Sequence, residues 1–409
     1  MISFALETLP NPPQDNVTVH VGRGVAKRLR QGHPWLFDGG IEKQRREGEA
    51  GSVAVVFDDR RKMVGLGLYD PGHPIRVKML CRGGGVPIDA AFFASRVEAA
   101  AALRAALPAA GTNGYRLLYG ESDCLPGLVV DRYDDALVIK LYSAIWWSRL
   151  AQVLPALTRL PGVRHVVLRL SRALKAQGEA FGLRDGQVLT DEPLPVPMTF
   201  QENGLTFEVD VQRGQKTGFF LDQRENRQRV EALSANRKVL NVFSYTGGFS
   251  LYAARGRARA VTSLDASRPA LEAAERNFAL NPAISCPHEL ICGDAFAELK
   301  ALAAAGASYD VVVIDPPSFA RKKSEIASAR QAYGRLTKLG LAVLAKGGTL
   351  VLASCSSRIT MDDFVALNIE AARKAGYRLE LLERHGHALD HPVTFPEGAY
   401  LKCLITAVG

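Results

Sequence analysis

Residues 239–252, V-L-N-V-F-S-Y-T-G-G-F-S-L-Y, constrain the fold of this chain more than any other stretch. Val239 to Phe243 is a short apolar run rich in β-branched and aromatic side chains, the pattern of a buried strand. Ser244 to Gly248 is turn chemistry, and Phe249 onward resumes at helical spacing. A strand, a glycine turn and a helix form the first half of a doubly wound nucleotide site. The glycines let backbone approach a ligand, and the helix N-terminus offers N–H groups. The dinucleotide fingerprint G-x-G-x-x-G is absent, so the turn predicts a ligand with no pyrophosphate to cradle.

The downstream sequence repeats the alternation. Residues 258–264 predict a second strand ending at Asp265, about 20 residues past the turn, where an acid can accept both ribose hydroxyls of an adenine nucleoside. A helix is expected over 269–280, then a strand over 288–291 leading to Gly293-Asp294-Ala295-Phe296. Asp294 is placed to bond an adenine amino group, with Phe296 packing on the ring. The apolar run 309–314 ends in Asp315-Pro316-Pro317-Ser318, and the run 349–353 ends in Ser354-Cys355-Ser356. Parallel sheets bind ligands at the carboxyl ends of their strands. The glycine turn, Asp265, Asp294, Asp315 and Cys355 all fall at such ends, and that convergence predicts one rim.

The length of 409 residues allows two or three domains. Apolar content of 47% and charged content of 23% are those of a globular protein, while the net charge of +9 favours a polyanionic partner. Residues 1–16 lack a basic flank and apolar core, so no leader is expected, and no uncharged run is long enough to span a bilayer. The six cysteines (Cys81, Cys124, Cys286, Cys292, Cys355, Cys403) form no C-x-x-C pair, which argues against a metal centre or disulfide framework and for a reducing, cytoplasmic setting.

Three regions are expected, divided as 16–88, 89–192 and 193–409. The first holds short β-like segments at 17–21, 52–57, 63–69 and 75–80, interrupted by a basic helix that runs into Gly32-His33-Pro34-Trp35. Lys27, Arg28 and Arg30 read as phosphate contacts on RNA, and Trp35 as either a stacking face or a core residue. The second region alternates strands with an Ala-rich helix over 90–109 and a helix over 147–157, with no catalytic constellation. The third opens with a hairpin turning at Asn203-Gly204. It continues through the polar, glycine-interrupted segment 215–227, which is positioned to fold over a ligand. There Lys216 or Arg224 suits a carboxylate, and Asp222 an ammonium.

Two rim segments speak to chemistry. Consecutive prolines after Asp315 lock φ and remove N–H donors, leaving carbonyls to hold a planar heterocycle. A thiol at Cys355 suits a reaction in which a poorly nucleophilic ring carbon, such as C5 of cytosine, must be activated. A thiolate adds to C6 and drives electron density onto C5. Asp315 is placed to hydrogen-bond N3 and the 4-amino group, acting as an acid towards N3. The plain alternative for Cys355 is a small buried core residue.

Taken together these pieces resemble the bacterial large-subunit ribosomal RNA cytosine-5 methyltransferases that carry an N-terminal PUA domain. The resemblance spans nearly the whole chain. It rests on Gly32-His33-Pro34-Trp35, T-G-F-F-L-D-Q-R-E-N-R at 217–227, the turn at 241–249, Asp315-Pro316-Pro317, Ser354-Cys355-Ser356, Asp390-His391-Pro392 and P-E-G-A-Y-L-K at 396–402. It implies an α/β protein with a PUA β-barrel, a small α/β middle domain and a C-terminal Rossmann-like class I methyltransferase domain. It implies S-adenosylmethionine as cofactor, ribosomal RNA as substrate and Cys355 as nucleophile. It further implies cofactor contacts at Phe219, Asp222, Arg224, Asn241, Phe243, Ser244, Tyr245, Thr246, Gly247, Asp265, Ala266, Ser267, Asp294, Ala295, Asp315 and Pro316. One departure stands out: many RNA cytosine-5 methyltransferases place a second, product-releasing cysteine where this chain has Ser318. His391 or a water is left as the base for the C5 proton.

The competing expectations are a guanine N-methyltransferase on the same scaffold, a nicotinamide oxidoreductase, and a non-catalytic RNA-binding factor. The oligomeric state, monomer or homodimer, is open at this level.

Overall fold

The computed structural model describes residues 8–320 and 322–408. The expectation about a leader over residues 1–16 therefore falls partly outside the described residues. The chain divides into two compact units. The first comprises residues 1–205, 209–221 and 389–395; the second comprises 206–208, 222–388 and 396–409.

The first unit contains two sheets. In the six-stranded sheet the order is Trp35–Phe37, Ile75–Arg82, Met63–Tyr69, Val53–Phe57, Val17–Val21, Ile41–Gln44. Alternate residues Val17, Val19 and Val21 point into its core with Ala26 and Leu29 from the helix Arg23–Arg30. The five-stranded sheet runs Gln187–Val188, His165–Leu170, Ala136–Leu141, Leu128–Tyr133, Gly114–Tyr119, covered by the helices Ala90–Leu103 and Leu150–Thr158. The two sheets are tied by polar bonds. Ser143 Oγ donates to Asp70 (2.7 Å), which also pairs with the buried Lys78 (2.7 Å), and Arg149 donates to the Gly51 carbonyl at 2.9 and 3.0 Å.

Two helices differ from expectation. The Ala-rich helix over 90–109 is broken into Ala90–Leu103 and Ala106–Ala109. At the break the buried Arg104 sends its guanidinium to the carbonyls of Ala100, Arg116 and Asp390 and to the Asp123 carboxylate. The helix expected from Trp147 starts at Leu150, after a short turn at Ala144–Trp146. The hairpin forms as Met198–Glu202 and Leu205–Val209, with Asn203 and Gly204 both at positive φ, the mirror-image turn that Asn-Gly favours.

The second unit is doubly wound. Its strands are β1 (Lys238–Val242), β2 (Ala260–Asp265), β3 (His288–Cys292), β4 (Tyr309–Ile314), β5 (Leu344–Ser354), β6 (Leu379–His385) and β7 (Lys402–Val408). Its helices are α1 (Arg224–Ala232), α2 (Gly248–Arg255), α3 (Arg268–Ala279), α4 (Ala295–Ala304), α5 (Ile326–Ala342) and α6 (Met361–Lys374). The spatial order is β3-β2-β1-β4-β5-β7-β6; the first five are parallel and β7 is antiparallel to both neighbours. Helices cover both faces, so the central strands are apolar throughout. Leu240, Val242, Val312 and Ile314 enter one core, while Val239, Val311 and Val313 enter the other. The order reverses between β1 and β4, which puts the switch-point crevice between the glycine turn and Asp315.

Candidate active site

The turn after β1 is held open by an unusual backbone. Phe243, Tyr245 and Gly247 all have positive φ (61°, 50° and 78°). Two of them carry side chains, and such conformations cost about 1–3 kcal/mol each. At Gly247 a Cβ would also lie 2.8 Å from the Ala274 Cβ, so glycine is required for α2 to pack on α3. Asp265 stabilises the turn: its carboxylate accepts from the Tyr245 N–H (2.8 Å) and the Ser267 N–H (2.9 Å). Asn277 braces it from α3 by donating to the Thr246 carbonyl at 2.9 Å.

Around this turn, three buried polar atoms have no partner among the described residues: Asn241 Oδ1, Ser244 Oγ and Thr246 Oγ1. The Asn241 amide is oriented by donation to Ser250 Oγ (2.9 Å), which meets Ser263 Oγ (2.6 Å) and through it His288 (2.8 Å). Burial drives the His288 pKa down to about 4, so it remains neutral in that chain of hydroxyls. A buried polar atom left unanswered costs about 1–3 kcal/mol. Three of them around a strained turn, with Asp265 half-exposed alongside, fit a polar nucleoside ligand.

Asp315 stands at the end of β4, beside this turn. Its carboxylate accepts from Gln223 Nε2 (2.9 Å), and the Gln223 amide is oriented by Asn226, which donates to its Oε1 at 2.5 Å. Pro316 is buried and Pro317 exposed. One strand further, β5 ends in Ser354-Cys355-Ser356. Both serines are fully buried and bonded to the Tyr333 hydroxyl, at 2.9 Å from Ser354 and 2.8 Å from Ser356. The Ser356 hydroxyl also meets the Ala320 N–H (3.3 Å) and Ser318 Oγ (3.2 Å). Cys355, between them, is half-exposed. The glycine turn, Asp315 and Cys355 thus end three adjacent parallel strands, a span of about 10 Å at two interstrand steps. Cys355 is thus not fully buried as the core alternative would have it; Cys403 on β7 is, and burial pushes its thiol far up.

A family model described as S-adenosylmethionine-dependent methyltransferase matches residues 115–406, and one described as PUA-like domain matches residues 19–82. A curated relative from Deinococcus radiodurans, named ribosomal RNA large subunit methyltransferase, is 48% identical over 400 residues, covering 97% of this chain and 98% of that protein. The chain belongs to the S-adenosylmethionine-dependent methyltransferases. Within them it groups with the proteins named ribosomal RNA large subunit methyltransferase I. The Klebsiella pneumoniae member is 36% identical over 385 residues, covering 93% of this chain and 96% of its own. A solved structure from Streptococcus mutans, a candidate SAM-dependent methyltransferase, shares the fold at TM-score 0.81 and 23% identity, covering 95% of this chain and 99% of that one.

Asp222 is buried; its carboxylate accepts from the Tyr400 hydroxyl (2.6 Å) and its carbonyl from Ala388. Arg224 is buried at the start of α1, and Ala266 is exposed after β2. Ser267 caps α3 and Asp294 caps α4, each accepting from an N–H three residues on; Ala295 is buried behind Asp294. Phe296 packs on the core, with the Arg335 guanidinium 4.7 Å from its ring centroid. Phe219 belongs to the first unit, where its N–H donates to the Tyr133 hydroxyl (3.1 Å) and its ring meets Phe200. Lys216 is also in that unit, its ammonium over Phe220. His391 is in the first unit as well, buried, with Nδ1 3.1 Å from the Asp390 carboxylate.

On the PUA-like sheet, Lys27, Arg28 and Arg30 are all exposed on one short helix. Arg30 pairs with Asp58 (2.7 Å), and Arg28 meets His33 (3.2 Å). Trp35 is half-buried: its indole N–H donates to Glu121 (3.0 Å) and its ring sits edge-on to Phe395 at 5.0 Å. No helix among the described residues is long and apolar enough to cross a membrane, and no cluster of potential metal ligands occurs among them.

Sequence reading passed over Gln223, Asn277, Tyr333 and Lys402 as individual residues. Gln223 and Lys402 lie inside motifs that were noted, and a lysine opening the apolar run K-C-L-I-T-A-V is a signal in itself. Tyr333 and Asn277 carry no local signal, because their roles arise only when α5 and α3 pack on the sheet.

Proposed function

We propose that this methyltransferase modifies C5 of a cytosine in ribosomal RNA, most simply 23S RNA, through a covalent adduct between Cys355 and C6. The observation that carries the reading is a half-exposed thiol at a strand end whose flanking serines are both buried and saturated. It stands on the same rim as the strained glycine turn.

S-adenosylmethionine, which Asn241, Ser244, Thr246 and Asp265 would hold, would supply an electrophilic methyl for C5 and leave as S-adenosylhomocysteine. The chain's own residues do the rest. The Cys355 thiolate adds to C6, and the ring electrons move towards C5 and N3. Asp315, steadied by Gln223, donates a hydrogen bond at N3 and accepts one from the 4-amino group. Pro316 and Pro317 hold the ring edge. Once C5 has lost its proton to a base, the C5–C6 double bond re-forms and the sulfur departs as thiolate. The base must be unpaired or flipped to reach the site. Lys27, Arg28 and Arg30 bind phosphates, and Trp35 completes that face. The division at 16–88, 89–192 and 193–409 assigns RNA capture to the first part and chemistry to the last, in the cytoplasm.

The names of the relatives support ribosomal RNA as the substrate class. Trapping on RNA containing 5-fluorocytosine tests the chemistry, with mass spectrometry of the methylated nucleoside. The expected result is an adduct that disappears in Cys355→Ala. Full activity of that variant, or a methylguanosine product, sinks the proposal.

A further inference from the structure

Lys402 opens β7 opposite Ser354 of β5, and it is 2% exposed. Its ammonium donates to the Ser356 carbonyl (2.6 Å) and the Tyr400 carbonyl (2.7 Å). The contrast with Lys78, the buried lysine of the first unit, is direct: Lys78 is paired with the Asp70 carboxylate at 2.7 Å. Among the described residues, the Lys402 ammonium is hydrogen-bonded only to carbonyls. Burying a cation without an anion costs several kcal/mol, so such a residue is an expensive way to hold a turn.

Neighbouring ionisable groups have partners of their own, and the Asp222 carboxylate accepts from the Tyr400 hydroxyl. Tyr333 on α5 bonds the two serines, and burial raises its pKa, keeping it neutral. Asp315 at the end of β4 is bonded by Gln223. Glu383 on β6 is bonded by Arg229 and His385. Among the described residues, the charged group acting on Lys402 is Cys355, one residue before the carbonyl that the ammonium holds. Burial draws the Lys402 pKa down to about 8, and the Cys355 sulfur opposes that fall.

We propose that Lys402 is the buried counter-cation of the Cys355 thiolate, a positioning residue that fixes the Ser356 carbonyl while its ammonium balances the sulfur's charge. The proposal rests on Cys355 being the nucleophile. It assigns Lys402 no contact with RNA or cofactor.

The test uses the full-length protein and the variants Lys402→Met and Lys402→Arg. Alkylation of Cys355 by iodoacetamide is followed against pH by peptide mass spectrometry, which separates it from the other cysteines. Methyl transfer to 23S RNA is measured over the same range. In Lys402→Met the alkylation midpoint moves alkaline by about one unit, the size expected for losing one opposite charge nearby. kcat at neutral pH falls about tenfold, KM for RNA holds, and the deficit shrinks as pH rises. Lys402→Arg keeps the midpoint near that of the unaltered protein. An unmoved midpoint in Lys402→Met overturns the proposal. If that variant does not fold, the unaltered protein decides, because a Cys355 midpoint no lower than in the unfolded chain also overturns it. The two failures are distinct. An active Cys355→Ala removes the nucleophile, whereas an inactive Cys355→Ala with an unmoved midpoint removes only Lys402.

Discussion

The two turns at the rim solve opposite problems with the same kinds of residue. After β1, the turn takes three left-handed backbone conformations and leaves buried oxygens of Asn241, Ser244 and Thr246 with no partner among the described residues. After β5, Ser354 and Ser356 are saturated by Tyr333, Ser318 and the Ala320 N–H, and the Ser356 carbonyl by Lys402. On the proposed reading, serine in the first is a polar group kept for the cofactor, while serine in the second is a strut. The difference teaches that polarity alone does not mark a binding turn. What marks it is whether the surrounding protein has already answered that polarity.

The contrast predicts that the two turns separate by experiment, one governing cofactor affinity and the other chemistry. The largest effect belongs to Cys355→Ala. Methyl transfer should fall at least about a thousandfold, roughly 4 kcal/mol of barrier, while calorimetric binding of S-adenosylhomocysteine holds. Loss of that binding together with activity would show that the turns act as one. Next is the titration of Lys402. Its folded pKa, about 8, is below its ordinary value of 10.5, so between those values the unfolded chain binds more protons. Stability therefore rises with pH across that window. Denaturant unfolding of the unaltered protein, compared with Lys402→Met, should show a relative gain of about 3 kcal/mol from below pH 8 to above pH 10.5. A flat difference would mean that Lys402 carries no buried charge. Third is Asp265→Ala, which removes the acceptor of the Tyr245 and Ser267 N–H groups. S-adenosylhomocysteine affinity should drop about thirtyfold, some 2 kcal/mol, with Cys355 alkylation unchanged. Unchanged affinity would break the assignment of the open turn to the cofactor.

Much of this architecture was readable in one dimension. The strand over Tyr309–Ile314 falls where its apolar run predicts, and the glycine turn, Asp265, Asp315 and Cys355 share one rim because parallel strands must end on one side. Local chemistry carried those readings. What escaped depends on side chains meeting across elements. The break at Arg104 needs a guanidinium bonded to carbonyls from distant segments, and helix propensity knows nothing of them. The strand Trp35–Phe37 hides in a His-Pro-Trp turn because it pairs with Ile75–Arg82, far along the chain. Asp294 looked like a base reader, and the first role visible for it is capping α4. An N-cap and a ligand acceptor demand the same residue at the same strand end, so sequence cannot separate them.

The finest test of the contrast is Ser356→Ala. The Ser356 hydroxyl joins Tyr333 on α5, the Ala320 N–H and Ser318 in one buried knot. Removing it strands a buried N–H, while Tyr333 keeps its bond from Ser354, so the loss should stay near 1 kcal/mol in unfolding free energy. The Ser356 carbonyl still holds Lys402, so the Cys355 alkylation midpoint should not move, and kcat should fall only a few-fold as the turn loosens. S-adenosylhomocysteine affinity should stay where it was. If instead that affinity falls and kcat holds, the strut is serving the cofactor, and the division of labour between the two turns is wrong at its narrowest point.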